Sequence, residues 1–377
     1  MKRVFNVLLV ILGLFFLVGC AVNEPSADQP DTDYQAEDTQ YETDPGDTAV
    51  PDDTPLASSI NVFNWGEFID PQVQRMFTEE TGIRIVYSTY ASNEEMYQRI
   101  RAGGSDFDVL FPSDYMIERM INQGMLAQLN WDNIPNAEHI DERFWDMPFD
   151  PYNQYSVPYM WGTFGIMYNT AMVQEPVYSW DILWNPDYAN QIFMYDASRD
   201  TMGAALRRLG FSLNSTDINQ VNAARDSLIE QRPLVRAFLG DQIKDRMIEG
   251  DGIFATVFSG DALWARQDNP DLNFVVPIEG TQIFLDSMVI PSTSTRQREA
   301  EMFINFMTRP DIAYLNTRYI MYSTTNATTF EMLPDYMRNC EIYWPPYEIF
   351  YRLEAFADLG DFKEVFERAW TEVLAAN

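Results

Sequence analysis

The sequence predicts an α/β protein arranged in two lobes, whose first hundred folded residues argue for a largely parallel sheet covered by helices. Three observations lead there. From residue 60 onward, short β-branched and aromatic runs alternate with segments of helical period. Several of the helical segments open on a capping residue and close on glycine. About 318 residues follow an N-terminal stretch that is unsuited to packing, enough for one large or two medium domains with real cores.

That N-terminal stretch reads first. "MKRVFNVLLVILGLFFLVGC" places Lys2 and Arg3 ahead of an apolar run, then Leu17-Val18-Gly19-Cys20. This is the order of an export signal, and the LVGC ending marks a lipoprotein in which 1–19 are removed and Cys20 is acylated. A transmembrane anchor is the competing reading, but the run is slightly short for one. Two acyl chains hold a protein at a membrane surface where one does not. Residues 20–59 are then the lipidated cysteine and an acidic tether, since 21–59 carry eleven Asp or Glu and no Lys or Arg. Such a segment buries too little apolar surface to offset its ordering entropy, so disorder is expected, and its charges repel it into extension. With Cys20 lipidated, Cys340 is expected as a buried, inert thiol.

The folded part follows in order. Residues 60–63 open as a strand. Asp70 caps a helix with Pro71 in its first turn, Val73, Met76 and Phe77 form its apolar face, and Thr81-Gly82 ends it. "IRIVYSTY" (83–90) is a second strand. Ser92 and Glu95 have capping-box spacing before Met96 and Ile100, and Gly103-Gly104 stops that helix. A third strand is expected over 107–113, then a helical face of Met116, Ile117, Met120 and Ile121 up to Gly124. Further strands are expected at 164–169, from 192, from 252 and on both sides of Gly280. Helices are expected up to Gly210, over 217–232, after Gly260, over 296–308 and toward the C-terminus. Chain crossings near 163 and 284 join the two lobes.

One pattern recurs: a strand ends in an aromatic beside a polar or acidic group. It occurs at Trp65-Gly66-Glu67-Phe68, Ser113-Asp114-Tyr115, Asp196 to Asp200, Phe258-Ser259-Gly260-Asp261 and Phe284-Leu285-Asp286. Each taken singly also fits a strand end with a helix cap. Five together suggest a pocket, because ligands of open α/β sheets sit beyond the carboxyl ends of strands. Aromatics with carboxylates suit a ligand that is both apolar and positively charged. The formal net charge of −32 points the same way, since such a field rejects nucleic acid and attracts cations, although solubility alone would also account for it. The single histidine, His139, lies in a polar loop context. There is no G-x-S-x-G, no phosphate loop and no Cys/His metal spacing, so no enzyme, metal or cofactor is expected.

Several motifs carry a family resemblance. "FNWGEFI", "IVYSTYASNEEMYQRI", "FDVLFPSDYMIERM", "YSVPYMWGTFGIMYN", "ALRRLG", "LDSMVIP" and "FINFMTRPDIA" occur in the order seen in bacterial spermidine/putrescine-binding proteins, the extracytoplasmic receptors of polyamine ABC importers. The resemblance covers nearly all of 60–377. It implies a two-lobed, flytrap-like type II periplasmic-binding-protein fold with the polyamine in the cleft between lobes. One lobe would span 60–162 plus 285–331 and the other 164–282 plus 334–377. It also implies a monomer that hands its ligand to a membrane-embedded ABC permease. By motif, Trp65 falls on an aromatic that packs against methylenes, Ser113 and Tyr115 on hydroxyl-bearing cleft residues, and Tyr322 on a cleft tyrosine. Asp200 falls on an acid that receives an amine, and Asp286 on the most recognisable family carboxylate. Phe68 stands where a tyrosine is common, and Phe258 and Phe284 where tryptophans are, which keeps the stacking surface but removes donors. Asp196 is a further candidate acid, with Glu67 and Asp261 behind it. The rival readings are a receptor of the same fold for a sugar or another cation, a carboxylate-dependent glycosidase, and a purely structural surface lipoprotein.

Overall fold

A computed structural model describes residues 55–103 and 106–376. The expected signal, Cys20 and all but the last residues of the tether lie outside them. Strand β1 (Ser59–Asn64) pairs in parallel with β2 (Arg84–Thr89) and with β3 (Val109–Leu110). Helices α1 (Pro71–Thr81) and α2 (Asn93–Arg101) make the crossovers, and α3 (Asp114–Asn122) follows β3. Local chemistry sets their ends as the sequence predicts. The Asp70 carboxylate accepts from the Gln72 N–H and Ser92 Oγ from the Glu95 N–H, while Gly82 and Gly103 take left-handed backbone.

The third strand is shorter than the 107–113 expected. Pro112 has no N–H to offer a ladder, and the Phe111 carbonyl is taken by the Trp65 indole and the Tyr90 hydroxyl at 2.8 and 2.7 Å.

A long strand, β4 (Ser156–Asn169), organises the middle of the molecule. Its first half runs antiparallel to β9 (Ile283–Val289), with Thr163 opposite Ile283. Its second half pairs with β7 (Phe254–Phe258) and β8 (Leu272–Val275), beginning with Phe164 opposite Phe258. A Cβ on Gly165 would come within 2.5 Å of the Val275 carbonyl, so only glycine allows that pairing. Outside these lie β5 (Ile192–Tyr195), parallel to β7 and to β6 (Val235–Leu239), and β10 (Ser323–Thr324), which pairs with β4. The path is β2-β1-β3-β9-β4-β7-β5-β6. The sheet is parallel over β1–β3, as the order of the first hundred folded residues predicts, but mixed as a whole, because β4 and β9 run through its centre in opposite directions.

The remaining helices are α4 (Ser198–Arg208), α5 (Ile218–Gln231), α6 (Ile243–Ile248), α7 (Ser259–Asp268), α8 (Gln297–Met307), α9 (Pro310–Ile320), α10 (Ala327–Met332), α11 (Asp335–Arg338), α12 (Tyr347–Phe350) and α13 (Lys363–Ala375). Buried side chains gather into separate cores. One holds Phe63, Phe77, Phe111, Trp161 and Phe303. A second holds Phe164, Trp180, Phe254 and Phe366 around α4, α5 and α13, and a third packs α6, α7 and Met337 against β7 and β8. Cys340 is buried in the third, as the sequence leads one to expect. Among the described residues, no helix is long and apolar enough to cross a membrane.

Candidate functional site

Rings converge where β4 exchanges β9 for β7. Phe68, just past β1, meets Tyr159 at 5.6 Å and Tyr322 at 5.9 Å. Tyr322 meets Phe284 of β9, Phe284 meets Phe258 of β7, and Phe258 meets Tyr195 of β5, each at 5.4 Å. All five contacts are edge-to-face, the arrangement that the ring quadrupoles favour. Strands from both sides of the molecule thus deliver one continuous aromatic wall. Phe258 ends its strand as expected, whereas Phe284 and Asp286 lie within β9 rather than at a strand end, because the strand runs on past them to Val289. Close packing holds it in place: a Cβ on Gly260, in the first turn of α7, would lie 2.6 Å from the Tyr322 ring.

Asp286 sits beside this wall in β9, 4% exposed. Among the described residues its side chain has one hydrogen-bond partner, the Ser113 hydroxyl at 2.6 Å. Ser113 is held in turn by Asn93, whose Nδ2 donates to Ser113 Oγ at 3.0 Å and whose Oδ1 accepts from the Ser113 N–H at 3.2 Å. Burial pushes the Asp286 carboxyl up to about 7, against the opposing pull of that hydroxyl. The phenols of Tyr90, Tyr159 and Tyr322 lie within its electrostatic reach, and burial drives each far above its ordinary value, so they stay neutral.

Asp200 is in the first turn of α4 and only half-buried. Desolvation raises its carboxyl to about 7, Arg199 pulls it down, and Glu94 pushes it up from the opposite side of the site. Tyr115 donates its hydroxyl to Glu94 at 3.0 Å and sets its ring edge-on to Phe356. Arg199 lies 4.3 Å over the Phe356 ring, with burial lowering its pKa. Asp261, in the first turn of α7, pairs with Lys244 at 3.2 Å. Burial raises the Asp261 pKa and the ammonium opposes it.

Other expected residues are placed less centrally. Trp65 is half-buried, packs on Tyr90 at 4.7 Å and spends its indole N–H on the Phe111 carbonyl, so its remaining asset is its face. Glu67 is exposed, within electrostatic reach of Lys244. Asp196 is exposed beyond β5, and the contacts that join the other acids to the rings do not include it. His139 ends a short 3-10 helix (Pro135–His139) rather than lying in the loop expected, and sets Nδ1 3.0 Å from the Thr328 hydroxyl of α10. The sequence pattern did not single out Glu94, Tyr195, Lys244 or Asp241, and it held the fully buried Asp114 only as part of Ser113-Asp114-Tyr115. Lys244 did carry a signal, being one of three lysines in the chain. Among the described residues, no group of three His, Cys, Asp or Glu could hold a metal.

The arrangement suits a slender cation. Rings offer contact to an apolar stem, and carboxyls poised near neutrality gain most from a positive charge brought to them.

Comparison with known proteins agrees. Residues 72–336 match the family model for the bacterial extracellular solute-binding protein. The spermidine/putrescine-binding periplasmic protein of Salmonella typhimurium is 34% identical over 84% of this chain and 92% of its own length. The putrescine-binding periplasmic protein of Escherichia coli is 28% identical over 84% of this chain and 91% of its own. Among solved structures, a putative spermidine/putrescine ABC transporter protein from Listeria monocytogenes superposes with a TM-score of 0.81 at 38% identity, covering 85% of this chain and all of that one. The spermidine/putrescine ABC transporter substrate-binding protein of Streptococcus pneumoniae gives 0.76 at 37% identity, covering 84% of this chain and all of that one. The architecture is the two-lobed type II fold of these receptors, and the chain belongs to the bacterial extracellular solute-binding proteins.

Proposed function

We propose that this protein captures a polyamine, putrescine or spermidine, between its lobes outside the cytoplasm and delivers it to the permease of an ABC importer. The observation that carries the reading is Asp286. It is a buried carboxylate beside a wall of rings, with a neutral hydroxyl and no basic side chain as its hydrogen-bond partner among the described residues. Left charged in that site it is costly, and a ligand ammonium would remove the cost. Each methylene packed on Trp65, Phe258 or Phe284 contributes roughly 0.8 kcal/mol, so a butyl stem contributes on the order of 3 kcal/mol. A cation over a ring adds about 0.5–2 kcal/mol. With two paired ammoniums these terms reach the roughly 8 kcal/mol of a micromolar complex after association costs.

In this reading Asp286 and Asp200 receive the two amines. The lobes are 60–162 plus 285–331 and 164–282 plus 334–377, and Cys20 carries the lipid that ties the tether to the membrane. Isothermal titration calorimetry of Asp286→Asn with putrescine and spermidine tests the site. Affinity should fall at least about thirtyfold, as for the loss of one partner in a buried charge pair. Unchanged affinity would remove Asp286 from the site. A thermal-shift panel that responds to sugars and to no polyamine would remove the function.

A further inference from the structure

The site contains a cation of its own. Lys244, in α6, directs its ammonium to Asp261 Oδ1 at 3.2 Å and lies 5.6 Å from the centre of the Trp264 ring. Asp241 and Glu67 add negative potential at the same point, with Glu67 reaching it from the β1 side of the cleft. The pair is not a surface ion pair, since the Asp261 and Lys244 side chains are only 15% and 26% exposed. Nor is it remote from the rings. Asp261 adjoins Gly260, which packs on Tyr322, and Tyr195 donates its hydroxyl to Asp241 at 3.3 Å. An ammonium on a carboxylate, with an aromatic ring alongside and a methylene stem behind it, has the chemistry expected of one end of a bound polyamine.

We infer that Lys244 is an internal substitute for a third ligand ammonium and restricts the cleft to short diamines. The inference rests on the polyamine reading above. Of the acids assigned to ligand amines, Asp286 has no basic hydrogen-bond partner among the described residues, and Arg199 beside Asp200 directs its guanidinium to Ala357 and Asn214 instead. The Asp261 end is already neutralised, and a third ammonium arriving there would meet a like charge instead of an acid. Spermidine would have to leave its third amine in water or displace Lys244. Putrescine has no such amine and is indifferent to the pair.

Calorimetry on the full chain with putrescine and with spermidine, for wild type, Lys244→Met and Lys244→Arg, tests this. Lys244→Met keeps the stem and removes the charge. It should raise the ratio of spermidine to putrescine affinity at least about tenfold, chiefly by tightening spermidine. Lys244→Arg should keep the wild-type ratio. Putrescine binding by each variant confirms that it is folded, and Lys244→Gln provides the same reading should Lys244→Met not fold. An unchanged or lower ratio in the neutral variants overturns the inference while leaving the polyamine reading in place. Wild type that binds neither polyamine removes both.

Discussion

Asp286 and Asp200 illustrate how burial in this protein prepares a charge for a partner. Both carboxyls are lifted from 3.8 to about 7, mainly by desolvation, with Asp200 the softer case because part of it stays in contact with water. Between those two values the folded protein holds protons that the unfolded chain has released. The contribution of these groups to ligand-free stability is therefore favourable at low pH and is lost as pH rises from about 4 to 7. Ligand binding has the opposite sign, because an ammonium favours the carboxylate and expels the proton. Polyamine affinity should rise with pH up to about 7, with proton release near pH 6.5. Calorimetry in two buffers of different ionisation enthalpy reads this directly, and identical apparent enthalpies would show that the carboxyls do not titrate on binding. Ser113 acts by holding Asp286 through its hydroxyl. Ser113→Ala should weaken binding by only about 0.5–1.5 kcal/mol, the net worth of one hydrogen bond, and less than Asp286→Asn in the same titration.

At the scale of elements, the site depends on helix starts. Asp200 and Asp261 both lie in first turns, of α4 and α7, where a carboxylate is favoured by the helix dipole. The price of building α7 against the ring wall is that its second residue must be glycine. Gly260→Ala would drive a methyl into Tyr322 and loosen its contact with Phe284. Overpacking of this kind costs about 1–3 kcal/mol. Denaturant unfolding should register that loss, together with weaker polyamine binding and an unchanged far-ultraviolet spectrum; full stability would show that Tyr322 has room to yield. These element ends were legible in the sequence because they are local. Asp70 with Pro71, Ser92 with Glu95, and Gly82 all act within one turn of their own backbone. The shortened β3 was not legible, since the carbonyl of Phe111 is claimed by the side chains of Trp65, just past β1, and of Tyr90, 46 and 21 residues away.

For the whole molecule, β4 is the continuous strand that passes between the cores, with Trp161 in the first, Phe164 in the second and Met167 in the third. Contacts already bridge the cleft away from that strand. The Asp358 N–H donates to Glu118 of α3 at 2.9 Å, and Tyr115 meets Phe356. Ligand contacts on both sides favour the closed arrangement. Small-angle scattering should show a smaller radius of gyration with saturating putrescine, and thermal unfolding should shift upward, by about 2.7 kcal/mol of stability at a hundredfold excess over Kd. Affinity without contraction would argue that the free protein is already closed. A Cys20→Ser form should move from the membrane to the soluble fraction on cell fractionation; retention on the membrane would exclude the lipid anchor.

By itself the sequence determined what depends on neighbours along the chain: the alternation of strand and helix, most caps, and the aromatic and acidic character of the strand ends. Those features follow from backbone dihedrals and from hydrogen bonds between residues a few positions apart. Which acid would face which ring was decided only by the tertiary structure. Asp286 meets Ser113 across 173 residues, and Phe68 meets Tyr322 through the return of a distant segment. The same holds for charge. Asp196 and Asp261 look alike as letters after a strand, yet one is exposed and the other is half-buried and paired with Lys244. Desolvation depends on everything that surrounds a group in space, and no local pattern of residues specifies that.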